Sequence, residues 1–266
     1  MRGATGASTR PLRLHPTRVH AEVAERPTVV VVIPTYNEAE NLPAVVSELI
    51  ALGIDGLGFI IVDDGSPDGT GEVAESMKKT YPGHFTVIHR TRKEGLGKAY
   101  AVGFKAALDS GAAYIVEMDA DLSHPPAQVP LMLARARSAD VVAGSRYIKG
   151  GAVDPGWNIG RRALSRVGNL GIKWLVGLKV HDATSGFKVF RREALARLDF
   201  TRFQTSGYGF QAEVAHWCEF HRMTIVEHAY AFAERRSGKS KMSGGIVIEA
   251  IWTLLPLRFH RRHRRT

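Results

Sequence analysis

The sequence predicts an α/β domain built on a mostly parallel sheet flanked by helices, and three observations predict it. Short β-branched apolar runs alternate with longer stretches of helical periodicity from residue 28 to residue 143. That alternation, with short loops between, implies right-handed crossovers joining parallel strands. The first run, Thr28-Val-Val-Val-Val-Ile33, is continuous in apolar character, the mark of a strand buried on both faces. Several of the runs end in polar clusters, and in open α/β sheets ligands bind at the carboxyl ends of the strands.

Taken in order, the strand at 28–33 leads through the loop Pro34-Thr-Tyr36-Asn-Glu38 into a helix over 40–52. A strand at 58–62 ends in Asp63-Asp64-Gly-Ser-Pro-Asp68-Gly-Thr, where Asp68 reads as a cap for the helix that follows to about residue 80. A third strand at 85–89 precedes a helix over 96–110, opened by Gly95. A fourth at 113–118 ends at Asp119-Ala-Asp121, followed by a helix over 126–137 and a fifth strand at 140–143 ending in Gly144-Ser-Arg146-Tyr. Beyond Tyr147 the alternation breaks: a loop at 150–156, a helix over 158–176, the segment Asp182-Ala-Thr-Ser-Gly-Phe-Lys-Val-Phe190, a helix over 209–222 and an extended stretch at 223–233. Residues 234–243 form a basic Gly/Ser-rich loop. No repeat and no interdomain linker is evident, so one domain, 27–245, is expected between terminal segments 1–26 and 246–266.

Composition narrows the class. At 44% hydrophobic and 23% charged, the 266 residues are neither disordered nor collagen-like, and the single Cys218 allows no internal disulfide or cysteine metal site. The net charge of +10 is uneven: residues 1–26 hold five Arg against two Glu, and residues 258–266 hold five Arg and no acid. The ends therefore carry eight of the ten charges, which speaks against a nucleic-acid fold with a basic stripe on its body and for an anionic membrane surface or solvated tails. No apolar run approaches the ~18 residues of a transmembrane helix. Residues 246–259 are apolar but interrupted, and residues 1–26 lack an apolar signal core and read as a basic leader or linker.

The chemistry resides in carboxylates. Two acids spaced as in Asp119-Ala-Asp121 are a common solvated turn in isolation, but directly after an apolar strand they can share a hard divalent cation, Mg²⁺ or Mn²⁺, with substrate phosphates. Asp64 suits recognition of a base or ribose. No Gly-x-Gly-x-x-Gly or Gly-x-x-x-x-Gly-Lys follows the first strand, which argues against a dinucleotide cofactor and a P-loop. Arg161 and Ser165, one helical turn apart, can hold one phosphate. The cations Arg235, Arg236, Lys239 and Lys241, interleaved with Gly and Ser, suit a loop that orders on an anion. The histidines show no metal spacing, and the four Trp read as core or interface anchors.

Together, Val-Ile33-Pro-Thr-Tyr-Asn-Glu38, Val-Asp-Asp64-Gly-Ser-Pro-Asp-Gly-Thr, Met-Asp119-Ala-Asp121-Leu-Ser-His-Pro-Pro and Gly-Ser-Arg146-Tyr resemble the family 2 inverting glycosyltransferases of A-type (Rossmann-like) fold. Within them the chain is most similar to the polyprenol-phosphate (dolichol-phosphate) mannose synthases, including the actinobacterial ones, over residues 29–243. The resemblance implies a metal-dependent enzyme moving mannose from GDP-mannose to polyprenyl phosphate with inversion. It implies that Pro34, Tyr36, Glu38, Val62, Asp64 and Ala120 hold the nucleotide sugar, with Arg235 and Lys241 closing on its phosphates. Asp119, Asp121 and Arg146 would serve catalysis, Asp119 and Asp121 the metal, and Arg161 and Ser165 the acceptor phosphate. Ser123 stands where some members have Gln and is a weak third metal ligand. A phosphate acceptor is largely dianionic at pH 7, its second pKa being ~6, so no essential general base is expected.

A polyprenyl acceptor places the enzyme at the cytoplasmic face of the membrane as a peripheral protein, with 246–259 as an interfacial helix and the Arg-rich tail on anionic headgroups; a helix packed on the core is the alternative. Some family members carry C-terminal transmembrane helices where this chain has none, so a membrane-protein partner, or a place as half of a larger protein, is expected. The same fold with UDP-glucose is the near alternative. A non-catalytic basic membrane- or nucleic-acid-binding protein would not need the ordered strand-end acids, and a nucleotidyltransferase would not need the Arg161/Ser165 segment.

Overall fold

The computed structural model describes residues 27–203, 205, 207, 209–233 and 253–258. The basic leader, most of 246–266, and Arg235 and Lys241 of the basic loop lie outside the described residues. Seven strands form one sheet: β1 (Val29–Thr35), β2 (Leu57–Asp63), β3 (Phe85–His89), β4 (Tyr114–Glu117), β5 (Val141–Ser145), β6 (Lys188–Arg191) and β7 (Ile225–Ala229). Their order is β3-β2-β1-β4-β6-β5-β7. All neighbours are parallel except β6, which runs antiparallel between β4 and β5. The helices are α1 (Leu42–Ala51), α2 (Thr70–Thr80), α3 (Leu96–Ser110), α4 (Val129–Ala136), α5 (Ile159–Val176), α6 (Arg192–Leu195) and α7 (Gly209–Phe220).

Strand geometry divides the core in two, because successive side chains point to opposite faces. Val30, Val32, Ile60 and Val62 pack with Tyr100 and Phe104 of α3 and Phe210 and Val214 of α7. Val29, Val31, Ile33, Phe59 and Ile61 pack with Val45 and Leu49 of α1 and Met132 of α4. Gly103 lets α3 lie directly on the sheet, since a Cβ there would collide with Val32. Sequence direction reverses between β1 and β4, and such a switch opens a crevice at the carboxyl edge.

Three differences from the sequence expectation have physical causes. The segment 182–190 carries no expected strand yet contains most of β6, because four residues with a Lys at the start have no legible period. Its Lys188 is buried and compensated from outside the segment. Asp68 does not cap α2 from the N-cap position, which Gly69 occupies in a left-handed conformation; its Oδ1 accepts the Thr70 N–H (3.1 Å) and its Oδ2 the Ala39 N–H (3.1 Å). Residues 253–258 are helical, and Leu254 and Leu257 are buried in the α3–α7 core. Those two leucines therefore face protein, and among the described residues an exposed apolar stripe lies on α5. There Leu164, Val167, Leu170 and Trp174, the last 73% exposed, recur at helical spacing.

Candidate active site

The β1 and β2 loops are sewn together by side chains meeting backbone. Asp63 accepts from the Thr35 hydroxyl (3.0 Å) and the Ser66 N–H (3.0 Å). Ser66 Oγ accepts the Asn37 N–H (3.0 Å), and Thr70 Oγ1 accepts the Glu38 N–H (2.9 Å). Asp63 and Asp68 are thus framework, while the buried Asp64 is paired outside these loops. One Asp64 oxygen accepts from Arg90, whose Nη2 also donates to Glu94 (2.8 Å). Burial raises the Asp64 pKa, with Arg90 opposing. Tyr36 is half-buried beneath the Lys93 ammonium, 4.0 Å from the ring centroid, and Glu38 accepts from the Asn41 amide (2.8 Å). Pro34 pairs with Val62 in the ladder; the Val62 side chain lies wholly in the α3-side core.

The Asp119-Ala120-Asp121 turn follows β4 at the switch point. Tyr100, fully buried between Phe104 and Phe210, donates its hydroxyl to Asp119 Oδ1 (3.0 Å). The Asp119 N–H donates to His124 Nδ1 (3.2 Å), which fixes that nitrogen as an acceptor. The imidazole is buried, stacked on Phe187 (centroids 5.1 Å apart), and burial lowers its pKa against the pull of Asp119 and Asp121. Asp121 is buried and accepts the Ser123 N–H (3.0 Å). Leu122 takes φ of 61°, a conformation costly for a residue with a Cβ, and Ala120 is buried beneath the turn. Ser123 Oγ is buried with no hydrogen-bond partner, an orphan beside two carboxylates. Among the described residues no three His, Cys, Asp or Glu side chains gather as a metal site, so a cation here would draw further ligands from Ser123, water or substrate.

A buried polar triad lies under this turn. Lys188 donates to Glu117 (3.3 Å), to the Ser185 carbonyl (2.6 Å) and to Gln211, and Gln211 donates to Glu117 (2.6 Å). Burial pushes the Glu117 carboxyl up to about 6, Lys188 opposing. Gly186 sits against Gln211, where a Cβ would lie 3.0 Å from Nε2.

Arg146, after β5, is 9% exposed and gripped by Asp182. Nε and Nη2 donate to its two oxygens (2.7 Å each), the backbone N–H adds a third bond (3.0 Å), and Nη2 also reaches Thr184 Oγ1 (2.6 Å). Burial works against both charges, yet the pair holds the Asp182 pKa below and the Arg146 pKa above the ordinary value. On α5, Ser165 Oγ is bonded to the Tyr147 hydroxyl (2.6 Å), and the Arg161 guanidinium lies 4.0 Å from the centroid of Trp157, a half-open position at the helix start. Phe232 meets His124, Trp157 and Arg146, and the Ala233 N–H donates to the Ser123 carbonyl (3.3 Å), so the chain enters the basic loop beside the Asp-x-Asp turn.

The structure thus brings Pro34, Tyr36, Glu38, Asp64, Asp119, Asp121, Ser123 and Arg146 to one sheet edge, with Arg161 and Ser165 alongside on α5. Sequence reasoning missed Arg90, Lys93, Tyr100, His124, Glu117 and Asp182 as contributors. Only Glu117, an acid inside an apolar strand, carried a local signal.

A mostly parallel Rossmann-like sheet with an acid pair at its switch point is the architecture of the A-type glycosyltransferases. Residues 30–199 match the description glycosyl transferase family 2, and the chain belongs to that family. It is 41% identical over 223 residues, 84% of this chain and 90% of the other, to the undecaprenyl-phosphate mannosyltransferase of Micrococcus luteus. It is likewise 41% identical over 230 residues, 85% and 86% of the two chains, to the polyprenol monophosphomannose synthase of Mycolicibacterium smegmatis. Among solved structures, glucosyl-3-phosphoglycerate synthase of Mycobacterium tuberculosis, in complex with Mn²⁺, UDP and glucosyl-3-phosphoglycerate, superposes with a TM-score of 0.63 at 22% identity, covering 89% of this chain and 81% of that one. That likeness bears on fold alone.

Proposed function

We propose that the chain transfers mannose from GDP-mannose to a polyprenyl monophosphate with inversion, using Mg²⁺ or Mn²⁺, as a peripheral enzyme of the cytoplasmic membrane face. The observation that carries the reading is the 41% identity, over more than four-fifths of the chain, to two relatives named for mannose transfer to polyprenyl phosphates. The site supports it in detail. Asp64 offers a carboxylate oxygen to a base N–H, and Tyr36 a ring face. Asp119 and Asp121, with the orphaned Ser123 hydroxyl, are an all-oxygen set suited to a hard divalent cation. Such a cation would neutralise charge on the departing diphosphate. Arg235 and Lys241, which follow closely in sequence on Ala233 beside Ser123, are proposed to add cations there.

The acceptor phosphate is proposed to lie between Arg146, Arg161 and Ser165. Already anionic, it needs no base, and the groups best placed to be one are otherwise engaged: His124 Nδ1 by the Asp119 amide and Asp182 by Arg146. The apolar outer face of α5 would sit in the lipid interface, holding the polyprenyl chain where its phosphate meets Ser165. Among the described residues no helix is long and apolar enough to cross a membrane. A membrane-protein partner is part of the proposal only as an anchor.

A donor screen tests the reading. Protein, short polyprenyl phosphate and Mg²⁺ or Mn²⁺ are incubated with labelled GDP-mannose or UDP-glucose, and label is counted in the organic phase. Chelator-sensitive mannose in the lipid fraction is expected. Glucose there would overturn the donor, and label from neither would overturn the acceptor.

A further inference from the structure

The grip on Arg146 is more complete than charge neutralisation requires. Asp182 binds two guanidinium nitrogens and the Arg146 backbone N–H, so it fixes both ends of a long, rotamer-rich side chain. Thr184 adds a further acceptor to Nη2. Nη1 is the guanidinium nitrogen that makes no hydrogen bond among the described residues. The segment bearing Asp182 is itself fixed from two sides. Glu227 of β7 accepts the N–H of His181 (2.9 Å) and of Asp182 (3.2 Å). Asn169, a buried residue of α5, donates to the His181 carbonyl (2.6 Å) and accepts the Ala183 N–H (2.8 Å). The helix that carries Arg161 and Ser165 is therefore bonded to the segment that holds Arg146. A second tie, Tyr147 to Ser165 (2.6 Å), joins α5 to the residue that follows Arg146.

We infer that Asp182 is a positioning residue: it fixes the Arg146 guanidinium relative to α5 so that Nη1 and Ser165 bind one phosphate monoester. The inference rests on the acceptor reading above. Asp182 never touches the ligand and takes no proton, since both its oxygens are engaged by Arg146. Its contribution is orientation, because a guanidinium already held in place binds phosphate at less entropic cost than a free one.

Equilibrium binding of geranyl phosphate, and separately of GDP with Mn²⁺, is measured for the full chain, D182N, R146Q, the D182N/R146Q double variant and T184V. The expected result is a ~10–100-fold weakening of geranyl phosphate binding in D182N, with GDP binding changed by less than about twofold. A residue acting through Arg146 also makes the double variant no weaker than R146Q alone. Geranyl phosphate bound by D182N as by the unaltered protein, equal losses on both ligands, or losses that multiply in the double variant would each overturn the inference. Should D182N fail to fold, T184V decides: weaker geranyl phosphate with GDP unchanged supports it, and no change overturns it. Failure of the unaltered protein to bind geranyl phosphate would instead defeat the acceptor reading, and this inference with it.

Discussion

The two halves of the cleft are built by different means. The donor half, at the ends of β1, β2 and β4, is held by short polar side chains, some closing their own turn and others tying the β1 loop to the β2 loop. The acceptor half, at the end of β5 and on α5, is held by long-range pairs, of which Arg146 to Asp182 is the chief, and by aromatic faces under cations. Short polar ties fix a ligand whose shape is constant, as a sugar nucleotide is. Long cations on aromatic supports beside an exposed apolar helix suit a charged headgroup arriving from a lipid phase.

The contrast is broken most sharply at the acid pair. Asp121→Ala is expected to lower transfer by ~10²–10³-fold or more while the protein still folds, because the residue is proposed to hold the cation at the donor diphosphate. Turnover near that of the unaltered protein, with Mg²⁺ or Mn²⁺ present, would remove the metal from the donor half. On the other side, Arg161→Ala is expected to raise the acceptor KM by ~10–100-fold, the worth of one hydrogen bond to a charged group, and to leave the donor KM alone. A rise in both constants would mean the halves are one site rather than two.

The seam between them is β4 against β6, where Glu117 meets Lys188. Burial raises the Glu117 pKa from 4.5 to about 6, so the neutral carboxyl stabilises the fold at low pH. That contribution is complete below 4.5 and lost as pH rises through about 6. Lys188 keeps the Ser185 and Gln211 oxygens when Glu117 is neutral, so Glu117→Gln mimics the protonated state without stranding the cation. Denaturant titrations at several pH values should show the two proteins about equal at low pH. Above pH 6 the variant should be more stable by about 2 kcal/mol. A gap that does not change with pH would mean Glu117 is ionised throughout.

The acid turns of the donor half were legible in the sequence because Asp63-Asp64-Gly-Ser66 and Asp119-Ala-Asp121-Leu-Ser123 each hold their own turn, whereas the ties from the β1 loop to the β2 loop, 28 to 32 positions apart, were not. The alternation of β1 to β5 with their helices was legible for the same reason, being set by local period. Arg146 and Asp182 stand 36 positions apart, and Gln211 and Glu117 stand 94 apart, so neither pairing leaves a mark in any window of sequence. β6 shares that origin: its place between β4 and β5 depends on a buried lysine whose compensation comes from two other elements. The burial of Leu254 and Leu257 was equally hidden, since an apolar stripe has the same period whether it faces lipid or protein.

The smallest effect tests whether the donor half is rigid through its core as well as its loops. Tyr100 is buried in a stack with Phe104 and Phe210, and its hydroxyl donates to Asp119 Oδ1 (3.0 Å). Tyr100→Phe keeps the ring and its packing, so the fold should lose no more than about 1 kcal/mol. What it removes is one constraint on a carboxylate whose side chain is 30% exposed. Asp119 should then sample orientations that do not suit a shared cation. The expected consequence is a rise of about three- to tenfold in the Mn²⁺ concentration for half-maximal turnover, with the acceptor KM unchanged. An unaltered metal requirement would show that the turn of 119–124, through the Asp119 N–H to His124, orients the acid pair without help from α3.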